Sequence, residues 1–479
     1  MSEAKRIRKN SVYSLLSISF RLISNVLVFW LIARYYGPSV FGQFTLAHTI
    51  STMSILLGDF GFDILLTTGI AREREKAAEH FQIYSSVKFL FSITAMILMW
   101  LLASFGNFSI DARLLILIFS FYMMFTTLTN FLYAFFKGFE ELQYETKVTL
   151  FVNIGLLIII AILIMLKSGI ILISVGFVVF RILGFIIAIS FSFKIMPGIR
   201  YKFNITRFHE IKTKMIVFGL HLLFSNLYFQ LDTILLGLWK GDYYVGIYQS
   251  VFKLIMLPLV LPDIFNNTLI PALSRLNKEN VFLWKKIGYI MNKILILVVI
   301  PISMILFLYA DQIIKIIYGT KNYIEAIPLL RIFAAILFVR FFLETYALML
   351  TTSNRQHIRM YVVISATFFN FLLNYFAIPK FGVIGAAIVS LITNSLLAIA
   401  YIGFTYPLFI DWVINIKTFA LFLFSLILVF AFWQLHSLNV LIMAPVILVI
   451  FILCGILVYF TKDEKRQIIG KEFSFNSLN

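Results

Sequence analysis

Charge is scarce in this chain. Asp, Glu, Lys and Arg together make up 13% of the 479 residues, and only 22 residues are acidic. A soluble chain of this length could bury a large core but would still need a charged surface to face water, so the composition excludes the soluble globular class. Cysteine occurs once, as Cys454 in an apolar run, which excludes an internal disulfide and any cysteine-cluster metal site. Histidine occurs six times, and His80, His209, His357 and His436 are scattered with no catalytic pattern around them. Long polar loops are missing too, apart from a basic stretch at 194–214 and a loop at 310–325. No DxD, HxxE-type or Ser/His/Asp constellation occurs. A membrane polymerase or glycosyltransferase needs acid–base or metal-binding groups, usually on a substantial loop, so these absences argue against an enzyme and against a resident cofactor.

What the chain has instead is apolar sequence. Some 61% of its residues are hydrophobic, gathered in runs near 20 residues long. At about 1.5 Å per residue, such a run crosses roughly 30 Å of hydrocarbon as a helix. The expected fold class is therefore an all-α polytopic membrane protein with about 14 transmembrane helices. Six spans fall at 12–33, 41–66, 81–104, 114–136, 148–166 and 170–193, and six more at 215–239, 245–276, 287–309, 326–352, 360–378 and 383–405. A last pair, 412–433 and 440–460, has no counterpart upstream. The eighth span is too long for one straight helix and carries Pro258, Pro262 and Pro271, so a kink is expected there.

The net charge of +18 could suggest a nucleic-acid partner. The basic residues, however, sit in alternate loops, which is the pattern of membrane topology and predicts no nucleic acid. Lys5, Arg6, Arg8, Arg72, Arg74, Lys212, Lys285, Arg355 and Lys465 all fall on one side if the N-terminus is cytoplasmic. An even number of spans then leaves both ends in the cytosol. The basic N-terminus leads into a full-length span without a small-residue cleavage site and reads as a cytosolic tail.

An internal repeat organises these spans. Residues 31–44, LIARYYGPSVFGQF, close one apolar run and open the next; residues 238–248, LWKGDYYVGIY, do the same, with Gly37 and Gly42 matched by Gly241 and Gly246 at a displacement of 204 positions. Lys167-Ser168-Gly169 and Lys380-Phe381-Gly382 mark a second pair of equivalent turns. Six spans per half is an even number, so both halves enter the membrane in the same direction, with their symmetry axis along the membrane normal. The expected organisation is an N-lobe at 1–193, a basic cytoplasmic linker at 194–214, a C-lobe at 215–405, and a C-terminal helix pair with its tail at 406–479.

These motifs resemble the multidrug/oligosaccharidyl-lipid/polysaccharide exporter (MOP) superfamily, and within it the polysaccharide biosynthesis branch of O-antigen-type (Wzx) flippases. The likeness is carried by residues 31–44, by GDYYVGIY and by KFGVIGAAIVSLI from Lys380, and it extends over essentially the whole chain. It implies two six-helix, MATE-like lobes and a bacterial cytoplasmic-membrane location. It also implies a cargo of sugars on a polyprenyl diphosphate, with membrane lipid and other polysaccharide assembly proteins as partners.

Charges inside spans point to a site, because each costs several kcal/mol in hydrocarbon, about 2.5–3.5 on insertion scales. His48, Thr52, Asp59 and Asp63 fall near one face of the second span, and Gly58 and Gly61 loosen the backbone beside the acids. The eighth span is interrupted at the matching level by Leu261-Pro-Asp263-Ile-Phe-Asn-Asn267. Interrupted helices at equivalent places in two halves point to a transport site. His221, Ser225, Tyr228 and Asp232 share a face of the seventh span, as Arg21 and Asn25 do in the first. The candidate cavity set is Arg21, Asn25, His48, Asp59, Asp63, Asp232, Lys253, Asp263 and Asn267. Arg21 and Lys253 would hold a diphosphate, and the four aspartates could carry a coupling proton or Na+ or bind sugar hydroxyls. Arg340 and Glu344 read as an i,i+4 pair, and Arg181 and Lys293 as residues that snorkel to the cytoplasmic interface.

Overall fold

A computed structural model describes residues 3–197, 208–319, 322–413, 416–434, 438–461 and 464–465. The central part of the expected linker (198–207), residues 414–415 near the start of the expected span 412–433, and the tail from 466 lie outside the described residues. Every regular element among the described residues is helical. A chain this apolar has no alternative to helices within a bilayer short of a closed barrel, since only they satisfy all backbone hydrogen bonds without water.

By contact the chain divides into two units, Met1–Gln249 and Ser250–Asn479. The first holds α1 (Glu3–Asp59), α2 (Phe62–Arg72), α3 (Ala77–Phe105), α4 (Ile110–Gly138), α5 (Leu142–Met165), α6 (Ile170–Ile195), α7 (Phe208–Trp239) and the start of α8 (Asp242–Met256). The 57 residues of α1 would span about 85 Å as one rod, far beyond a bilayer. Gly37 breaks it, with φ 77° and ψ 178° outside helical geometry, and Pro38 starts the next helix at a position where the missing amide costs nothing. A second break separates α1 from α2, with left-handed backbone at Phe60 (φ 39°) and Gly61 (φ 91°). Below this break Phe62, Leu66 and Ile70 are fully buried, packed into a core with Phe81, Phe131, Phe135 and Phe136 of α3 and α4.

The two repeat turns meet inside this unit. A methyl group on Gly42 would lie 1.8 Å from the Asp242 carbonyl oxygen, and one on Gly246 would lie 1.9 Å from the Pro38 carbonyl oxygen. Pro38 and Asp242, like Gly42 and Gly246, are equivalent at the 204-residue displacement, so each glycine packs on the other repeat's counterpart of Pro38 or Asp242 and the two motifs face each other reciprocally. Asp242 Oδ2 also accepts from Ser109 Oγ at 2.5 Å, tying the turn to the start of α4.

The second unit holds α9 (Val260–Glu279), α10 (Val281–Leu308), α11 (Ala310–Tyr318), α12 (Ala326–Thr352), α13 (Gln356–Val413), α14 (Ile416–Trp433) and α15 (Val440–Cys454). The expected kink in the eighth span is present as a 45° bend between α8 and α9, at the segment carrying Pro258. α13 merges two helices across Gly382, whose φ of 57° and ψ of −136° are non-helical. The C-terminal pair packs on α10 through Ile296, Ile300, Met304, Ile447 and Phe451. Arg331 lies over the Trp433 ring, and Gln312 of α11 bonds the Leu438 carbonyl and the Val440 amide.

By length and composition nine of the described helices can cross a membrane, or ten with the bent α8–α9 pair counted as one. Two of the nine are the pairs merged at Gly37 and Gly382. This criterion does not reach the expected 14 among the described residues.

Candidate functional site

The polar side chains of the first unit converge where the sequence pattern alone could not bring them together. A cavity of about 390 Å³ is walled by four helices. α1 contributes Arg21. α2 contributes Asp63, Thr67 and Thr68, which recur at one-turn spacing below the break. α4 contributes Asn130, Tyr133 and Lys137, which share a face at i, i+3 and i+7. Glu145 enters from the first turn of α5.

At the edge of this cavity stands a residue absent from the candidate set. Lys88 of α3 is fully buried and bridges the break between α1 and α2, with its Nζ 2.9 Å from Asp59 Oδ1 and in close contact with Asp63 Oδ1. The Asp63 amide also bonds Asp59 Oδ1 at 3.1 Å, so the two carboxylates and the ammonium form one closed network. A buried lysine without carboxylates would carry several kcal/mol of desolvation, which two anions within reach offset. The sequence pattern puts Asp59 and Asp63 in the cavity set. The structure puts Asp63 on the cavity wall and Asp59 behind it, both bound to Lys88. Lys88 is the one charged residue in the run 81–104, and that isolation is the signal that could have found it.

The charges around the cavity are unevenly matched. Lys137 Nζ lies 3.3 Å from Glu145 Oε1, with the lysine about half exposed. Arg21 lines the same cavity and has no carboxylate in ion-pair range among the described residues. The arrangement can accept an anion at Arg21 without first removing a competitor.

Several candidates from the sequence lie elsewhere. Asn25 is exposed on α1. His48 is enclosed by aromatic rings, with Phe29 at 5.0 Å, Tyr122 at 5.7 Å and Phe119 at 5.8 Å between centroids. Asp232 is buried and accepts from Tyr248 Oη at 2.6 Å, a bond that joins α7 to α8. Lys253, half buried, and Asp263, exposed, belong to the second unit, and the Asn267 side chain lies outside the described residues, as do those of His221 and Ser225.

Four other charged residues have partners of their own. Arg181 donates to Tyr122 Oη at 3.2 Å and lies over its ring. Arg340 Nε donates to Asn394 Oδ1 at 3.1 Å, while Glu344 accepts from Asn266 Nδ2 at 2.5 Å. Lys293 does not snorkel. It is buried, bonded to Glu464 Oε2 and to the Tyr459 carbonyl at 2.8 Å each, and enclosed by the rings of Tyr289, Tyr459 and Phe460.

Among the described residues, helices able to cross a membrane, breaks within them and a polar cavity define a multi-pass membrane protein. The chain belongs to the polysaccharide biosynthesis protein family, whose model matches residues 7–277, and a second model, MatE, matches residues 218–376. No curated protein matches the sequence. Among solved structures the chain is similar to a lipid II flippase, MurJ, in an inward closed conformation, at 18% identity and a TM-score of 0.76, with 96% of this chain and 100% of that one covered. It is also similar to an inward-facing multidrug resistance MATE transporter, at 14% identity and a TM-score of 0.65, covering 82% of this chain and 98% of that one. A MOP superfamily transporter from Pyrococcus furiosus matches at 16% identity and a TM-score of 0.58, covering 84% and 95%. The fold is thus that of the MOP superfamily.

Proposed function

We propose that this protein is a flippase that moves a polyprenyl-diphosphate-linked oligosaccharide, an O-antigen or similar surface polysaccharide unit, from the cytoplasmic to the outer leaflet. The observation that carries this reading is the cavity of the first unit, which Arg21 lines with hydroxyl and amide side chains and with Asp63 and Glu145, and where Arg21 has no carboxylate in ion-pair range among the described residues. A phosphate-bearing headgroup needs fixed cations in a low-dielectric cleft, and sugar hydroxyls need donors and acceptors such as Thr67, Thr68 and Asn130. With the N-terminus cytoplasmic, Lys137 at the end of α4 and Glu145 at the start of α5 fall at the cytoplasmic headgroup level, where such a cargo is made available.

In this reading the protein sits in a bacterial inner membrane with both ends in the cytosol. The headgroup passes by alternating access while the lipid tail stays in the bilayer, and the C-terminal helix pair offers a groove for that tail. Asp59 and Asp63, sharing Lys88, are the sites for a coupling proton or Na+. Flipping of lipid II or a teichuronic-type precursor is the nearest alternative, supported by the likeness to a lipid II flippase, and export of a drug is the next, supported by the MatE match over 218–376.

Deleting the gene and assaying lipid-linked oligosaccharide by leaflet, together with surface polysaccharide, separates the readings. Cytoplasmic-leaflet accumulation with loss of surface polymer is the expected result. Normal polysaccharide with raised drug sensitivity would move the assignment to an exporter. Single units left unpolymerised on the outer leaflet would mean a polymerase.

A further inference from the structure

The cavity of the first unit holds two cations in different states. Arg21 has no carboxylate partner among the described residues, whereas Lys137 is held by Glu145 at 3.3 Å. Both side chains line the same space of about 390 Å³. The Lys137 side chain is 45% exposed and that of Glu145 10%. An ion pair with one member half in solvent is weakly held, so a stronger anion arriving from the open side can displace it. Glu145 is nearly buried on α5 and lines the same cavity.

We propose that Lys137 is the second phosphate-binding cation of this cavity and that Glu145 is its built-in competitor, an internal anion that occupies Lys137 until the phosphate of the cargo replaces it. This rests on the lipid-linked cargo reading and deepens it. A single phosphoryl group reaching the cavity engages Arg21 and leaves Lys137 with Glu145. A diphosphate brings a second phosphoryl group, which can draw Lys137 away while the first stays on Arg21, and so releases Glu145 into the cavity. Thr67 and Thr68 of α2 and Asn130 of α4 supply hydrogen-bond groups around the same space. The competitor therefore selects a cargo with two phosphoryl groups over one with a single phosphoryl group, by a repulsive element as well as an attractive one.

The test uses the full-length protein purified in detergent, with farnesyl diphosphate and farnesyl monophosphate as probes in equilibrium binding. Wild-type protein should bind the diphosphate at least about tenfold more tightly. Glu145→Gln should tighten binding of both probes and narrow the ratio between them. Lys137→Ala should weaken the diphosphate about tenfold and leave the monophosphate nearly unchanged, with Lys137→Arg restoring binding. A merely structural ion pair predicts that both removals lower the melting temperature without moving the probe ratio. Unchanged or weaker diphosphate binding in Glu145→Gln overturns the inference, and Lys137→Gln repeats the test should the alanine variant not fold. A cell-based defect in flipping that persists alongside unaltered probe ratios would sink the competitor and leave the flippase reading standing. Probe ratios that shift as expected in a protein whose deletion leaves polysaccharide intact would do the reverse.

Discussion

Gly42 and Gly246 stand at the same place in two internal repeats, and each is packed on the backbone of the other repeat's turn. A methyl on either would lie under 2 Å from a carbonyl oxygen, at Asp242 or Pro38. Neither partner is a flexible side-chain end that could move aside. The glycines are thus required by close approach of two chains, not by their own backbone angles, and they hold α1 and α8 together at the repeat turns.

Gly42→Ala and Gly246→Ala should each destabilise the protein by at least about 1–3 kcal/mol, the usual cost of overpacking. Thermal unfolding in detergent, followed by fluorescence, measures this. Because the two sites share one contact, the double variant should lose less than the sum of the singles. Additive losses would mean that the two turns do not touch.

Lys88→Met should be more damaging than any surface change on α3. It leaves Asp59 and Asp63 without their shared cation, a loss of about 3–5 kcal/mol for a broken buried pair. Adding Asp59→Asn and Asp63→Asn to Lys88→Met should restore most of the melting temperature, since a neutral network needs no cation. Failure of the triple variant to recover would contradict the network described around Lys88.

Arg21→Ala, alone or with Lys253→Ala, should reduce export of surface polysaccharide about tenfold or more with the protein still in the membrane. His48→Phe should leave export within about twofold, because His48 is packed among rings and a further ring fits that surrounding. Quantitative immunoblots of membranes beside the polysaccharide assay distinguish loss of function from loss of protein.

Acid should loosen the C-terminal segment. Burial alone would raise the Glu464 carboxyl, but its hydrogen bond from Lys293 and the Thr461 amide outweigh burial and hold it below the ordinary carboxylate range. A carboxyl depressed in the folded state contributes stability above its unfolded pKa, and that stability is lost as pH falls through the folded value. Protease sensitivity after Phe460 should therefore rise below about pH 4, and Glu464→Gln should show the same sensitivity at neutral pH. Equal protection of wild type and variant at pH 7 would show that the Lys293–Glu464 bond does not hold the segment.

The amino-acid sequence alone determined what depends on neighbouring residues. Apolar runs near the bilayer thickness set the helices, Gly37-Pro38 and Gly382 set their breaks, the proline at 258 set the bend of 45°, and a displacement of 204 positions revealed the repeat. Those features follow from local sterics and from the need to satisfy the backbone without water. Tertiary structure decided which charges meet. Lys88 joins acids 25 and 29 positions away, Lys293 meets Glu464 from 171 positions away, and Arg21 shares a cavity with Lys137 and Glu145. Helical periodicity tells which residues share a face of one helix, but not which face another helix brings opposite. The pairing of buried charges was therefore open until the helices were packed, and with it the shape of the cavity.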